Sequence, residues 1–316
     1  MKSRNCVAGP QSEVAILLCT KDGAHYLPDQ LNSFSAQQYA DWRLWVSDDA
    51  SRDATMEIVR GYGGTRFDPQ ASLFHGPGEG PTRNFLSLIC RTGISARFYA
   101  FADQDDFWRP DKLGRACAWL EQVPAAIPAL YCSRTQIVDK RGQVICLSPL
   151  FAKPPSFTNA LVQNLAGGNT MVFNATARDL LASAGENVDP VAHDWWAYQL
   201  VSGSGGSVFY DPNPTVSHRQ HDANFIGAGV GLKARAKRMR LLINGQFQYW
   251  TDRNIAALER VRHLLTAENR KHLDAFAGAR RCGMISRIVR VRRSGVYRQT
   301  FAGTVSLVAG VAMGRI

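Results

Sequence analysis

Apolar runs alternate with helical spacings over the first part of the chain. VAILLCT (14–20) is a short apolar run that ends at KDG, which predicts a buried strand followed by a turn. Leu27, Leu31 and Phe34 in YLPDQLNSFSAQQ (26–38) stand at helical spacing. The alternation then repeats. DWRLWVSDD (41–49) reads as a strand, DATMEIVRGY (53–62) as a helix and ASLFHG (71–76) as a weaker strand. TRNFLSLICRTG (82–93) reads as a helix and RFYAFAD (97–103) as a fourth strand. Such alternation predicts an α/β fold, an open and mainly parallel sheet flanked by helices.

Further on, ALYCSRTQIVD (129–139) and NLAGGNTMVFN (164–174) contain strand-like runs, and ATARDLLASAG (175–185) a helix ending on a capping glycine, Gly185. A helix starts near His193 and Asp194, and SVFYDPNPTVSHRQHDANFIGAG (207–229) is a strand followed by a polar loop. From about 231 the chain turns basic and helix-like. TFAGTVSLVAGVAMG (300–314) is apolar and uncharged, but shorter than the roughly 18–20 residues of a membrane span. It predicts a surface-lying segment or a helix packed on the body.

Charge sharpens this division. Residues 232–316 hold 18 Lys and Arg against 4 Asp and Glu, a balance of +14; the whole chain is +11, so the first 231 residues carry −3. A near-neutral body with a basic tail points the tail at something anionic, a membrane surface or nucleic acid, unless the charges simply solvate a helical face. Seven scattered cysteines, with no CxxC pair, fit a reducing compartment, and the short apolar run near the start does not read as a signal peptide. No G-x-G-x-x-G follows the first strand, which argues against a dinucleotide oxidoreductase.

Ligands of open α/β sheets bind outside the carboxyl ends of the strands. The first strand ends at Thr20, the second at Asp48 and Asp49, and the fourth runs into Asp103, Asp105 and Asp106. Close carboxylates are tolerated when solvated, paired with cations or bound to a metal. In an extended segment Asp103 and Asp105, two apart, face the same way. Their oxygens suit Mg2+ or Mn2+, which can neutralise a diphosphate leaving group. The alternative is a solvated loop in which Asp106 or Asp111 caps the helix near Pro110. Asp53 reads as a cap for the helix at 53–62.

The stretch from Val14 to Thr55 resembles the opening of family 2 glycosyltransferases. It has an apolar strand, Thr20-Lys21-Asp22-Gly23, Gln37-Gln38-Tyr39, and Asp48-Asp49-Ala50-Ser51-Arg52-Asp53. DQDDFWRPDKL (103–113), GGNTMVFN (167–174), HDWW (193–196) and HRQHDANFIGA (218–228) are similar, in order, to the bacterial rhamnosyltransferase-like branch. The resemblance covers roughly 12–230 and implies a GT-A domain there, with 231–316 as a helical extension. It implies inverting, metal-dependent transfer of a sugar, L-rhamnose being one candidate. The donor would be a dTDP- or UDP-sugar and the acceptor a growing, lipid-linked bacterial glycan.

The resemblance also implies roles. Thr20 with Asp48 or Asp49 would hold the base and ribose of the donor, Asp103 ribose and metal, and Asp105 the metal. Arg83 and Asn84 follow GPGEGP (76–81), a loop beside the diphosphate that keeps only Gly80 and Asn84 of the family pattern. Asp194 would be the base, with His193 orienting it or acting itself, and Trp195 and Trp196 packing beside the site. His218 or His221, the latter the better match, would reach metal or diphosphate with Arg219. The basic tail with its apolar end suits a cytoplasmic enzyme, peripheral on the inner face of the membrane where the tail meets anionic lipid. No nucleic-acid partner is expected, since the acidic strand ends would repel a phosphate backbone. A nucleotide-sugar-binding protein without turnover is the alternative function.

Overall fold

The computed structural model describes residues 12–220, 240 and 244–316. One mixed sheet holds β1 (Ser12–Thr20), β2 (Trp42–Asp48), β3 (Leu73–His75), β4 (Ala96–Ala102), β5 (Phe107–Trp108), β6 (Ala129–Val138), β7 (Val144–Leu147), β8 (Val172–Asn174) and β9 (Ser207–Arg219). Its order is β3-β2-β1-β4-β8-β6-β9-β5, with β7 paired to β6. The β3-β2-β1-β4 half is parallel. The other half is mixed: β8 runs antiparallel to both β4 and β6, and β5 antiparallel to β9, while β6 and β9 are parallel.

The first half contains α1 (Leu27–Ser35), α2 (Thr55–Gly61), α3 (Pro69–Ser72) and α4 (Pro81–Cys90). Then come α5 (Lys112–Leu120), α6 (Phe157–Ala160), α7 (Ala175–Ser183) and α8 (His193–Gly203). Gly185 follows α7 with φ 81°, the left-handed conformation expected of a capping glycine. The tail adds α9 (Gln246–Arg260), α10 (Ala267–Arg280), α11 (Met284–Arg293) and α12 (Phe301–Ala312).

β1 shows why the sheet is covered on both faces. Val14, Ile16 and Leu18 point to one side and pack with Leu27, Leu31 and Phe34 of α1 and with Leu113 and Cys117 of α5. Ala15, Leu17 and Cys19 point to the other, where α4, α7 and α8 lie. That second core continues without a break into the tail through Leu258, Leu273, Phe276, Val291, Leu307 and Val311. The apolar segment at 300–314 thus forms a helix with one side packed on the body.

Candidate active site

Strand register brings the expected residues to one edge. Thr20 pairs with Asp48 across β1 and β2, and Leu18 with Ala102 across β1 and β4. Asp103 therefore follows directly beside Cys19. Burial, then the charges of Asp103 and Asp49, push the Cys19 thiol well up, so both carboxylates lie within electrostatic reach of this strand end.

Asp48 and Asp49 are both buried and both bonded within the chain. Asp48 accepts from Thr20 Oγ1 at 2.7 Å, from Ser51 N at 2.9 Å and from Ser51 Oγ at 2.6 Å. Asp49 accepts from the amides of Gly78 at 2.6 Å and Gly80 at 2.7 Å, fixing the 76–80 loop over the strand end. The turn between them holds Ala50 at φ 63°, a left-handed conformation that costs an alanine about 1 kcal/mol or more. Lys21 secures it by donating Nζ to the carbonyls of Asp49 and Ala50 at 2.9 and 2.6 Å. Gln104 ties β1 to β4 through both Lys21 backbone groups at 2.8 Å. Gly23 must lack a Cβ, which would stand 2.1 Å from Gln104 Oε1. Helix α2 begins at Thr55 with Ala54 at its N-cap and no side-chain capping bond, so Asp53 lies one residue ahead of the cap instead of filling it. Asp53 accepts from Thr55 N at 3.0 Å and, through its other oxygen, from Ala24 N at 3.0 Å, joining two loops.

The acidic segment is not an extended strand. β4 stops at Ala102, and residues 103–106 bend before β5 begins. Strict alternation therefore does not govern Asp103 and Asp105. Asp106 turns fully inward and caps no helix; Asp111 stands at the α5 N-cap without a side-chain capping bond. Asp106 accepts from His218 Nδ1 at 2.9 Å, from Asn169 Nδ2 and from Arg219 N at 3.2 Å. Burial works against its charge, but His218 and these donors outweigh it and hold the carboxyl below the usual range. Burial likewise opposes the His218 charge, yet Asp106, Asp103 and Asp105 raise it to about 9.

Lys112 completes this cluster and was not among the expected site residues. Fully buried, it donates Nζ to Asn169 O at 2.9 Å and stands 3.8 Å from the Trp108 ring centroid. Burial pushes it down to about 7 against the pull of Asp106 and Asp103. Burial and the charges of Asp106 and Asp105 in turn push the Asp103 carboxyl well up.

The start of α8 also reaches this edge. Asp194 accepts from Gly168 N at 3.1 Å and from Trp195 N at 2.6 Å, and its charge is felt at Asp103. A carboxylate in the first helical turn is favoured by the helix dipole. His193 is buried, stacked on Phe85 with centroids 3.8 Å apart and edge-on to Phe101 at 5.0 Å. Burial pushes its imidazole down to about 4 against the Asp194 charge, so it is neutral near pH 7. Its Nε2 is enclosed and has no hydrogen-bond partner among the described residues.

Gly168 is the close contact that lets these two residues sit side by side. A Cβ there would lie 2.4 Å from His193 Nε2 and 3.3 Å from the Asp194 Cβ. The ring cannot retreat, because Phe85 and Phe101 hold it from behind. Gly168→Ala is therefore expected to lose about 1–3 kcal/mol of stability and to displace the Asp194 carboxylate. Denaturant titration and a transfer assay check this; full activity in the variant would show that the Gly168 contact does not set the carboxylate.

Other expected residues have internal partners. Asn84 is buried and exchanges two hydrogen bonds with Ser47, holding α4 to β2. Arg83 pairs with Glu79 at 2.9 Å and donates to the carbonyl of Glu186. The Arg219 guanidinium lies 4.4 Å from the Tyr26 ring and 4.2 Å from that of Phe107, and it pairs with Asp29 at 2.8 Å. Trp195 donates Nε1 to Ala160 O at 2.7 Å, and Trp196 is fully buried in the core. His221 lies outside the described residues.

The donor set fits a hard divalent ion only as half of a shell. Among the described residues no group of three or more His, Cys, Asp and Glu side chains is assembled for a metal. Asp103 and Asp105 offer carboxylate oxygens of the kind Mg2+ and Mn2+ accept together with phosphate oxygens.

The family model for glycosyl transferase family 2 matches residues 15–178, more than half the 316-residue chain. The dTDP-rhamnosyl transferase RfbG of Shigella flexneri is 28% identical over 240 residues, covering 72% of this chain and 79% of its own. Among solved structures, the mannosyltransferase PcManGT of Pyrobaculum calidifontis, in complex with GDP-Man and Mn2+, superposes with TM-score 0.50 at 15% identity, over 96% of this chain and 86% of that one. GalNAc-T7 with UDP, GalNAc and Mn2+ gives 0.55 at 10% identity, over 91% and 56%. These two likenesses concern the fold, which is of the GT-A kind. Strand-end carboxylates, motif order and the family match agree, and the chain belongs to family 2 of the glycosyltransferases.

Proposed function

We propose that the protein transfers a sugar with inversion from a nucleoside-diphosphate donor to a hydroxyl of a growing, lipid-linked bacterial surface glycan. The observation that carries this reading is Asp194. Its carboxylate stands at the start of α8, held by two backbone amides, within electrostatic reach of Asp103. In one displacement, the acceptor oxygen bonds to the anomeric carbon as the bond to the diphosphate breaks on the opposite face. Asp194 takes the acceptor proton. His193, buried and neutral, supports the carboxylate instead of acting as the base. Asp103 and Asp105, with His221 as a further candidate, would hold Mg2+ or Mn2+, which neutralises the leaving diphosphate when bound. Thr20, Asp48 and Asp49 shape the pocket for base and ribose, and the 76–80 loop ahead of Arg83 and Asn84 borders the diphosphate. The likeness to a dTDP-rhamnosyl transferase supports a dTDP-sugar, with L-rhamnose as the first to try. In this reading residues 12–230 hold the transfer site, 231–316 extends it, and the enzyme works at the inner face of the membrane.

The test is calorimetric titration of dTDP and UDP into the protein, each with Mn2+ and with EDTA. Nucleotide binding is expected only with metal, and about 100-fold weaker or worse in Asp105→Ala, the size of losing one strong contact to a charged group. Equal affinity in EDTA would rule out the metal-bridged donor. Binding without any turnover would favour the nucleotide-sugar-binding alternative.

A further inference from the structure

The last two helices, α11 and α12, carry an apolar face that no described residue covers. On α12 and just beyond, Phe301, Val305, Val308 and Met313 are 86%, 52%, 39% and 52% exposed; on α11, Ile285 and Val289 are 74% and 43% exposed. Phe301, Val305 and Val308 share one side of α12, and Ile285 and Val289 one side of α11, by helical spacing. The opposite sides, with Val291, Leu307 and Val311, are in the core. Between the helices runs a groove of about 590 Å³ lined by Ile288, Val296, Val305, Val308 and Ala312 among others. Single exposed apolar residues are ordinary, but a contiguous face of this kind marks an interaction surface.

The surrounding charge has one sign. Residues 275–316 contain eight arginines and no Asp, Glu or Lys. Some of the arginines serve the fold: Arg280 pairs with Asp252 at 2.7 Å, Arg287 donates to the carbonyls of Cys282 and Val311, and Arg298 to that of Val162. Arg290, Arg292 and Arg293 are exposed and make no ion pair among the described residues.

We infer that this face docks on an anionic phospholipid bilayer, with α11 and α12 lying in the plane of the interface. The apolar side chains enter the acyl boundary, and Arg290, Arg292 and Arg293 meet lipid phosphates. Among the described residues no helix is long and apolar enough to cross a membrane, so the helices rest on the bilayer. A second copy of the chain is a poorer occupant. A two-fold contact would set one arginine cluster against another, and this stretch has no acidic side chain to meet it. A nucleic acid would satisfy the arginines but leave Phe301 and its neighbours in water.

The position suits a lipid-linked acceptor, and the inference rests on that reading for its purpose. The link between α11 and α12 is fastened to the segment under α8. Asn159 Nδ2 donates to Tyr297 O at 2.9 Å, Lys153 N to Gln299 Oε1 at 3.0 Å, and Gln299 N to Gln163 Oε1 at 2.8 Å. The same segment supplies Ala160 O, which accepts from Trp195 Nε1 at 2.7 Å, next to Asp194. One segment thus joins the docking face to the helix bearing the proposed base.

Sedimentation of the full chain with vesicles tests this, using phosphatidylcholine alone and phosphatidylcholine mixed with phosphatidylglycerol. Tight binding to the mixed vesicles, falling with salt, is expected. The triple change Arg290→Gln, Arg292→Gln and Arg293→Gln should weaken it about 100-fold, given the contribution of each arginine near an anionic surface. Phe301→Ser should weaken binding to both compositions by roughly tenfold, from the loss of one buried ring. All variants should bind dTDP or UDP as the unaltered protein does. Equal binding to both vesicle types, or full binding by the triple variant, overturns the inference. So does a dimer that Phe301→Ser converts to monomer without vesicle binding. Failure of nucleotide binding with vesicle binding intact would instead strike the transferase reading alone.

Discussion

Replacing Asp194 by asparagine is expected to lower sugar transfer by about 10²–10⁴-fold, the usual contribution of a positioned general base, while nucleotide affinity stays unchanged. Asparagine keeps the shape but has one acceptor oxygen, so it keeps only one of the two bonds that the amides of Gly168 and Trp195 make to the separate carboxylate oxygens at 3.1 and 2.6 Å. It cannot take a proton from the acceptor hydroxyl. The loss should therefore fall on kcat, with the KM for donor preserved. His193→Gln separates the two neighbours. The imidazole is held down to about 4 by burial, so at neutral pH it has no useful basicity. Its loss should act through packing against Phe85 and Phe101, leaving the pH dependence of transfer intact. A variant at 194 with full activity, or a pH profile that disappears with His193, would reverse the assignment.

The parts of the site that were legible in the sequence are those fixed by strand ends. Apolar runs locate β1, β2 and β4, and a parallel register then aligns Thr20, Asp48 and Asp103 with no further information. The strand-like end of 164–174 contains β8, but its antiparallel direction and the two-residue β5 were not legible, because each is so short that its partner defines it. The direction of each carboxylate in 103–106 was also hidden. Alternation holds only while the chain is extended, and the bend after Ala102 sends Asp106 into the interior. The resemblance places Arg83, Asn84 and Arg219 beside the diphosphate. Their partners, Glu79 and the Glu186 carbonyl, Ser47, and Asp29 with two aromatic rings, come from distant segments that a single sequence does not connect. Lys112 did leave a trace. Lys112, Leu113, Ala116, Cys117 and Leu120 form the buried stripe of α5, so the lysine sits where the helical period demands an apolar residue. A charge in that position is a signal that something buried pairs with it.

What it pairs with gives the second large effect. Asp106→Asn is expected to destabilise the protein by about 3–5 kcal/mol, the cost of removing one partner from a buried charge pair. The variant would leave the partly buried His218 and the buried Lys112 facing a neutral amide. The pH dependence separates this from a simple packing defect. His218 has a folded value of about 9, above the roughly 6.5 of a free imidazole, so its contribution is full below about 6.5 and is lost as pH rises through 9. Lys112 works the other way: its folded value of about 7 lies below the roughly 10.4 of a free lysine, so stability rises with pH between them. In the unaltered protein the two trends oppose each other from about pH 7 to 9. Asp106→Asn removes most of the His218 trend and leaves the Lys112 one. The stability gap between the two proteins should therefore be widest near pH 6 and narrow as pH passes 9. Denaturant titrations at pH 6, 7.5 and 9 without metal measure it, and a gap that stays constant would mean that His218 and Asp106 are not the coupled pair. The network also explains how three carboxylates within residues 103–106 are tolerated together. His218 and Asn169 bond to Asp106 directly, and the Lys112 charge lies within its electrostatic reach.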